Sequence, residues 1–355
     1  MTWLLLIFQF YLGSLFTPRA DTLKLVFAGD IMQHKEQLSA ALIKGRPPGK
    51  SSSYDYSEYF THLKKILSGA DLRVANMETT FSGGEFSGYP TFASPESLLE
   101  ESFKSGFNLF LTANNHICDK GKRGLEYTIS AYEKRGIPYT GISRDSATRS
   151  EINPYITIIK GFKIAILNYT YGTNGIKVPQ PYLVNLLDST KIEKDVRSAQ
   201  SANCDIIIAA VHWGSEYVLQ HNLHQKRWNN LFRRLGVRYI IGSHPHVPQD
   251  YIIERDKDGR GEAVTIFSLG NLISNMSASY TRLGLIVTLK FTKREGEVIL
   301  LEPQLDYVWT TRPGEIGKNY SVIPVNSFRE GSVSFKSKAH YDNMMKYYTG
   351  FTNDR

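Results

Sequence analysis

IIGSHPHV, Ile240 to Val247, is an apolar strand that runs out at Gly242 into two histidines separated by one proline. In an α/β protein, ligands sit beyond the carboxyl ends of the strands, so an apolar run that ends in polar side chains marks a candidate site. Other runs in this chain end the same way. KLVFAGD ends in Asp30, RVANME ends in Glu78, NLFLTANNH ends in Asn115 and His116, and IIIAAVHW reaches His212. Each of these residues alone reads as a cap or a hydrogen-bonded core group as readily as a ligand. Their recurrence at one end of successive strands favours a shared site.

Helical stretches separate these strands, which makes the chain α/β. Leu23 to Ala28 reads as a fully buried strand, with Gly29 keeping the backbone open beside Asp30. Tyr54 to Leu67 has helical spacing through Tyr59, Leu63, Ile66 and Leu67, and Gly69 stops it. Leu72 to Met77 forms the next strand. The GGEFSGYPTFASP stretch that follows is a loop by composition, either folded over a site or lying on the surface. A helix opens at Pro95 and stops at Gly106, Phe107 to Thr112 is a strand, and Gly124 leads into a helix with Leu125, Ile129 and Tyr132 on one side. Tyr155 to Tyr169 predicts a hairpin around Lys160-Gly161. Beyond it lie a helix over Asp188 to Ala202, a strand over Asp205 to Val211 and a helix over Gln225 to Leu235. Hairpins pair Tyr251 to Glu254 with Val264 to Leu269, and Leu285 to Thr292 with Val298 to Leu301. The tail beyond Val325 is polar, with a helix around His340 to Tyr348 expected to pack outside the main domain.

A hydrophobic content of 41% with 12% aromatics supports a packed core and excludes a disordered chain. The 355 residues suit two average domains or one large α/β fold. We read residues 1–20 as a leader, 21–325 as one domain and 326–355 as the tail. The apolar run Trp3 to Phe16 is shorter than the ~20 residues that span a bilayer. It fits a signal peptide cut at Ala20, with the mature chain starting near Asp21, exported across the inner membrane to the periplasm or cell surface. No Lys or Arg precedes the run, so an uncleaved anchor over residues 3–16 is the alternative. Two cysteines, Cys118 and Cys204, cannot make a disulfide framework and read as small buried fillers. Forty-two basic side chains against 34 acidic ones, formally +8, favour an anionic polymer or cell-surface partner; no nucleic-acid motif is present.

Two carboxylates, one amide and three imidazoles at the strand ends form a mixed nitrogen and oxygen set. Such a set suits one or two divalent Mn, Fe or Zn ions better than Ca or Mg, which prefer all-oxygen cages. Two cations sharing a carboxylate activate water and clamp the oxygens of a phosphate-like centre, and a remaining imidazole can protonate the leaving group.

AGDIM, NMET, ANNHICDKG, HWGSEY, GSHPHVPQ and FSLGN, in this order, resemble the motif series of the bacterial capsule synthesis proteins of the poly-γ-glutamate type. That group is itself similar to calcineurin-like metallophosphoesterases. The resemblance spans about Leu23 to Leu289. It implies a four-layer fold, a sandwich of two mixed β-sheets flanked by helices, with a metal site at the strand ends. Position by position, it implies that Glu78 bridges two metals, with Asn115, His212 and His244 completing one set. Asp30 and His246 share Glu78 in the other, and His116 is the acid at the leaving group. Where phosphoesterases read Asp-x-His, this chain reads Asp30-Ile31-Met32, and a thioether is a poor ligand for such a cation. The Asp30 set is therefore one ligand short, and His34 either fills the gap or lines the pocket. Glu216, Tyr217 and Asn271 are expected to orient ligands or bind substrate. Lys122 and Arg123, at a helix start, are either an anion site or a solvated basic turn.

The expected function is that of an extracytoplasmic, metal-dependent, hydrolase-like protein that makes, trims or anchors an anionic capsule polymer such as poly-γ-glutamate. The alternative is a non-catalytic component that binds the polymer, or the capsule synthesis or export machinery, through the same cleft. A phosphatase or nucleotidase of small substrates is a third reading.

Overall fold

The first strand, β1 (Leu23–Ile31), is buried along both faces. Leu23, Leu25 and Phe27 face one apolar cluster while Val26, Ala28 and Ile31 face another. Successive side chains of a strand point to opposite sides, so a strand covered on both must lie in an inner layer. The computed structural model describes residues 22–257, 261–329, 331 and 333–353. The leader expected over residues 1–20 lies outside the described residues.

The other principal strands, in chain order, are β2 (Leu72–Met77), β3 (Leu109–Leu111), β4 (Tyr155–Ile159), β5 (Phe162–Thr170), β6 (Ile206–His212), β7 (Tyr239–Ser243) and β8 (Tyr251–Arg255). They continue with β9 (Gly261–Ile266), β10 (Asn271–Ile273), β11 (Leu283–Arg294), β12 (Glu297–Leu300), β13 (Gln304–Thr311) and β14 (Ser321–Pro324). One half of the sheet system runs β3-β2-β1-β11-β13-β14, with its first three strands parallel. The other runs β4-β5-β6-β7-β9-β8, with β5, β6, β7 and β9 parallel. Hydrogen bonding continues from one half to the other through β12, which pairs with β11 along its length and with β9 at Gly261 and Leu300.

The two halves fold face to face. Leu25 and Phe27 of β1, Val74 of β2, Ile164 and Ile166 of β5, Ile208 of β6, Ile241 of β7 and Val287 and Leu289 of β11 share one buried cluster, the layer between the sheets. Helices α1 (Glu96–Lys104) and α2 (Gly121–Arg135) cover the outer face of the first half with Leu98, Leu99, Ala131 and Tyr132. Helices α3 (Ser189–Ser201) and α4 (Leu223–Arg234) cover the second with Ile192, Val196 and Phe232. The result is the four-layer α/β sandwich of two mixed sheets.

The helix expected over Tyr54 to Leu67 forms only at its end, as a 3-10 turn at Thr61–Leu63 and one helical turn at Lys64–Leu67. Tyr54, Tyr56, Tyr59 and Phe60 are all buried, with Tyr56 and Tyr59 edge to face at 5.0 Å, so this segment packs aromatics on every side rather than along one face. Tyr54 instead bridges to Leu42 as extended chain. Of the two free cysteines, Cys118 is a buried filler, whereas Cys204 is only partly covered. The tail forms helix α5 (Lys338–Asn353), whose Met344 and Phe351 are buried in one cluster with Leu283, Trp309 and Val325. Among the described residues no helix is long and apolar enough to cross a membrane.

Candidate metal centre and its cleft

The carboxyl ends of β1, β2, β3, β6 and β7 converge on one edge of the sandwich. Asp30 ends β1, Glu78 follows β2, the Asn115-His116 turn follows β3, His212 ends β6, and His244 and His246 follow β7. All seven side chains are buried. His212 Nε2 lies 3.6 Å from Glu78 Oε1 and 2.7 Å from Asn115 Oδ1. His246 Nδ1 lies 3.7 Å from Asp30 Oδ2 and 4.0 Å from Glu78 Oε2. The rings of His212 and His244 are 4.8 Å apart, and those of His244 and His246 are 5.8 Å apart.

The backbone here is shaped for close approach. A Cβ on Gly29 would lie 1.9 Å from the Gly270 carbonyl oxygen, and one on Gly242 equally close to that of Phe267. His244 and His246 adopt φ of 98° and 60°, a region that side chains with a Cβ enter at a cost and that clusters at functional sites. Asn168 of β5 clasps the two halves, accepting from Thr112 N and Ala113 N at 3.0 and 2.9 Å while donating to Ala210 O at 3.1 Å. Asn76 donates to Asp30 Oδ1 at 2.7 Å and lies 3.3 Å from His212 Nδ1. The Ser243 hydroxyl lies 2.9 Å from His212 Nδ1, and Asn271 Oδ1 lies 2.9 Å from His246 Nδ1. Partners of this kind orient imidazole ligands.

These residues fit a divalent cation. Among the described residues both Glu78 carboxylate oxygens and His244 Nδ1 are buried with no hydrogen-bond partner, a state that costs about 1–3 kcal/mol per group unless something else satisfies it. Burial pushes the Glu78 carboxyl up to about 8 and, together with the Glu78 charge, raises Asp30 well above the carboxylate range. Burial and the neighbouring imidazoles hold His212 and His244 well below the ordinary histidine value, and burial lowers His246. Neutral imidazoles are the form that ligates, and a dry carboxylate pair is stabilised as anions by a cation between them. Ligand atoms within 4.8 Å of one another form two groups, Glu78 with His244 and His246, and Asp30 with Glu78 and His212. Glu78 belongs to both. The groups overlap, since His246 Nδ1 also lies 3.7 Å from Asp30 Oδ2 and the His212 ring lies 4.8 Å from that of His244, as in the sets that the resemblance implies.

His116 stands at the edge of the cluster. Burial alone would lower its pKa, but its Nδ1 meets Asp119 Oδ2 at 2.8 Å, and that bond with the nearby carboxylates raises it above the ordinary value. Phe92 packs edge-on against its ring at 4.6 Å. His116 opens onto a cleft of about 660 Å³ lined also by His34, Asn115, Glu216 and Tyr217. His34 is not in either ligand group; it caps a helix (Lys35–Ala41) and lies 3.2 Å from Gln37 Oε1, with burial lowering its pKa to about 4. Lys122 and Arg123 stand at a helix start, as expected, and do not line this cleft. Helix α2 starts at Gly121, beyond the Asn115-His116 turn, and Arg123 lines a separate hollow with Lys120 and Glu85.

Several site residues escaped the motif reading. Asn76 and Asp119 lie inside the quoted motifs, two residues before Glu78 and three after His116, so their signal was present. Tyr89 lies in the GGEFSGYPTFASP loop, which does fold over the site, whereas Tyr171, Asn174 and Asn275 come from loops with no periodic signal. Tyr171 lies 4.6 Å from the His244 ring, while Asn174 Nδ2 lies 3.5 Å from His116 Nδ1.

Residues 24–276 match the model of the bacterial capsule synthesis protein family PGA_cap. The chain belongs to this family. It is 22% identical over 240 residues to the capsule biosynthesis protein CapA of Bacillus anthracis, covering 64% of this chain and 56% of that protein. It is 23% identical over 291 residues to the PGA biosynthesis protein CapA of Bacillus subtilis (strain 168), covering 78% and 71%. Solved structures with a similar course include the NAD nucleotidase of Haemophilus influenzae, with a TM-score of 0.47 at 11% identity over 94% of this chain and 68% of that one. A calcineurin-like phosphoesterase, YfkN of Bacillus subtilis, matches with a TM-score of 0.41 at 12% identity over 94% and 99%.

Proposed function

We propose that the chain is an extracytoplasmic, metal-dependent, hydrolase-like protein that makes, trims or anchors an anionic capsule polymer such as poly-γ-glutamate. The observation that carries this reading is Glu78, a buried carboxylate with both oxygens unpartnered and within 4.0 Å of two imidazoles. Family membership supplies the capsule context.

Asp30, Glu78, Asn115, His212, His244 and His246 would hold the metal, which when bound supplies charge for an anionic reacting group and lowers the pKa of water. The chain's own contributions follow from the geometry. Asn76, Ser243 and Asn271 fix the ring orientations of His212 and His246. Asp119 keeps a proton on His116 at the cleft edge, where that imidazole can donate to a leaving oxygen.

The test is His116→Ala. Its metal content and fold should match the wild type, while turnover falls by about 10²- to 10⁴-fold, the span of a general acid. Polymer cleavage in vitro and capsule formation in cells are measured together. Full capsule formation by this variant, in a background where deletion of the protein abolishes the capsule, would overturn the catalytic reading and leave the polymer-binding one.

A further inference from the structure

Ser277 and Ala278 belong to the wall of the cleft and also to the wall of a second hollow, of about 120 Å³. The two spaces therefore adjoin across this short segment. Arg282 and Arg312 line the second hollow, and among its described lining residues none is Asp or Glu.

The strand pairing brings the two arginines together. β11 runs antiparallel to β13 with Leu283 opposite Trp309, so Arg282, just before β11, and Arg312, just after β13, leave the same end of the pair. The Arg282 guanidinium lies over the Trp309 ring at 4.5 Å, and Tyr347 of α5 stacks with that ring at 5.9 Å. Glu315 holds both arginines, accepting from Arg282 Nη2 and, at 3.2 Å, from the Arg312 backbone N. His340 Nδ1 lies 3.7 Å from the other oxygen of Glu315. Arg312 Nη2 donates to the carbonyls of Asn275 and Met276 in the cleft wall, at 3.4 and 3.0 Å. Glu36 is bound to that wall as well, accepting from Asn275 Nδ2 at 2.9 Å.

Glu315 does not satisfy two guanidinium groups. Among the described residues Arg312 Nε is buried with no hydrogen-bond partner. Burial lowers the Arg282 pKa and the Arg312 charge adds to the effect, although Glu315 acts to raise it. A planar guanidinium takes a carboxylate through two parallel N–H bonds, and a hollow of this size admits one small anionic group. A polymer with a carboxylate on every residue needs cations at intervals along its path. His116 supplies one at the metal end of the cleft.

Resting on the preceding reading of the cleft as the place of an anionic polymer, we propose that the hollow is a second anion subsite, where Arg282 and Arg312 receive a further carboxylate of the chain that reaches the metal centre. Helix α5 walls the subsite with Asn343 and Tyr347, which gives the tail a part in substrate binding. Its lining residues all follow residue 276, where the family match ends.

Titration calorimetry of the Mn-loaded full chain with a γ-linked glutamate hexamer tests this in two variants. Asn343→Asp puts a carboxylate of the protein's own into the hollow. Arg282→Gln combined with Glu315→Gln removes a guanidinium and its counter-charge together, so the net charge of the protein is unchanged. Each should bind the hexamer about tenfold more weakly than wild type, the increment of one charge-assisted hydrogen bond, while Mn affinity stays that of wild type. Asn343→Ala, which changes shape without charge, should keep the wild-type hexamer affinity. Wild-type hexamer affinity in Asn343→Asp, or in the double variant with its Mn affinity intact, would overturn the subsite and leave the polymer reading of the cleft standing. No binding of the hexamer by wild type would overturn that reading, and this inference with it.

Discussion

Replacing Glu78 by Gln should stabilise the metal-free protein and destabilise the metal-loaded one relative to wild type. Glu78 is fully buried and its oxygens have no hydrogen-bond partner, so burial lifts its pKa from 4.5 to about 8. At pH 8 the unfolded chain holds this carboxyl ionised at no cost, whereas the folded, metal-free chain resists the charge, a difference of roughly 4 kcal/mol by linkage. Glu78→Gln removes that term, and burial of the new amide returns about 1–3 kcal/mol of it. The net gain, on the order of 1–3 kcal/mol, raises Tm by several degrees at about 2–4 °C per kcal/mol for a large domain. Metal reverses the order, because an ion at 1,000 times its Kd stabilises the wild type by about 4.1 kcal/mol, more than the variant's gain, and the variant lacks the shared ligand. Differential scanning calorimetry at pH 8, in chelator and in excess Mn or Zn, reads both signs. A variant less stable than wild type in chelator, or stabilised equally by metal, would refute this account of Glu78.

The same carboxyl sets a pH dependence for the metal-free wild type. Its folded pKa of about 8 lies above its unfolded value of 4.5, so its contribution is present below 4.5 and is lost as pH rises through 8. His212 and His244 act in the opposite sense, but only below their unfolded value of 6.5. Between pH 6.5 and 8, therefore, urea midpoints of the metal-free protein should fall as pH rises, and added metal should flatten or invert the slope. Asp119→Asn removes the charged partner of His116 at 2.8 Å. The His116 pKa should then fall, as read by NMR titration of its ring protons, and the alkaline limb of any turnover should move to lower pH.

The strand ends were legible because each apolar run breaks off into a side chain that no core would choose: Asp30 after Phe27 and Ala28, His212 after Ala209 to Val211, His244 after Ile241. Burial on both faces makes these runs continuous, and that continuity also marks the inner layers. The Lys160-Gly161 hairpin was legible from turn chemistry, and both residues have positive φ. What could not be read is what depends on distant packing. The helical spacing from Tyr59 to Leu67 holds only from Thr61 on, because the aromatics before it fill the space around Tyr320 and Phe107. The cleft walls join Tyr89, Asn174 and Asn275 from separate loops, and Asn275 is held from a distant segment by Tyr320, which donates to its Oδ1 at 2.7 Å. The place of Lys122 and Arg123 at a helix start was legible, whereas the hollow that Arg123 lines with Lys120 and Glu85 depends on packing.

The central claim, a divalent cation held at the strand ends with Glu78 shared between the two ligand groups, is tested most directly by anomalous diffraction from Zn-loaded crystals on either side of the metal edge. The account predicts at least one peak at about 2.0–2.2 Å from a Glu78 carboxylate oxygen and from imidazole nitrogens among His212, His244 and His246. A fully loaded crystal with no peak at these strand ends, or with its metal elsewhere and Glu78 unbound, would contradict it.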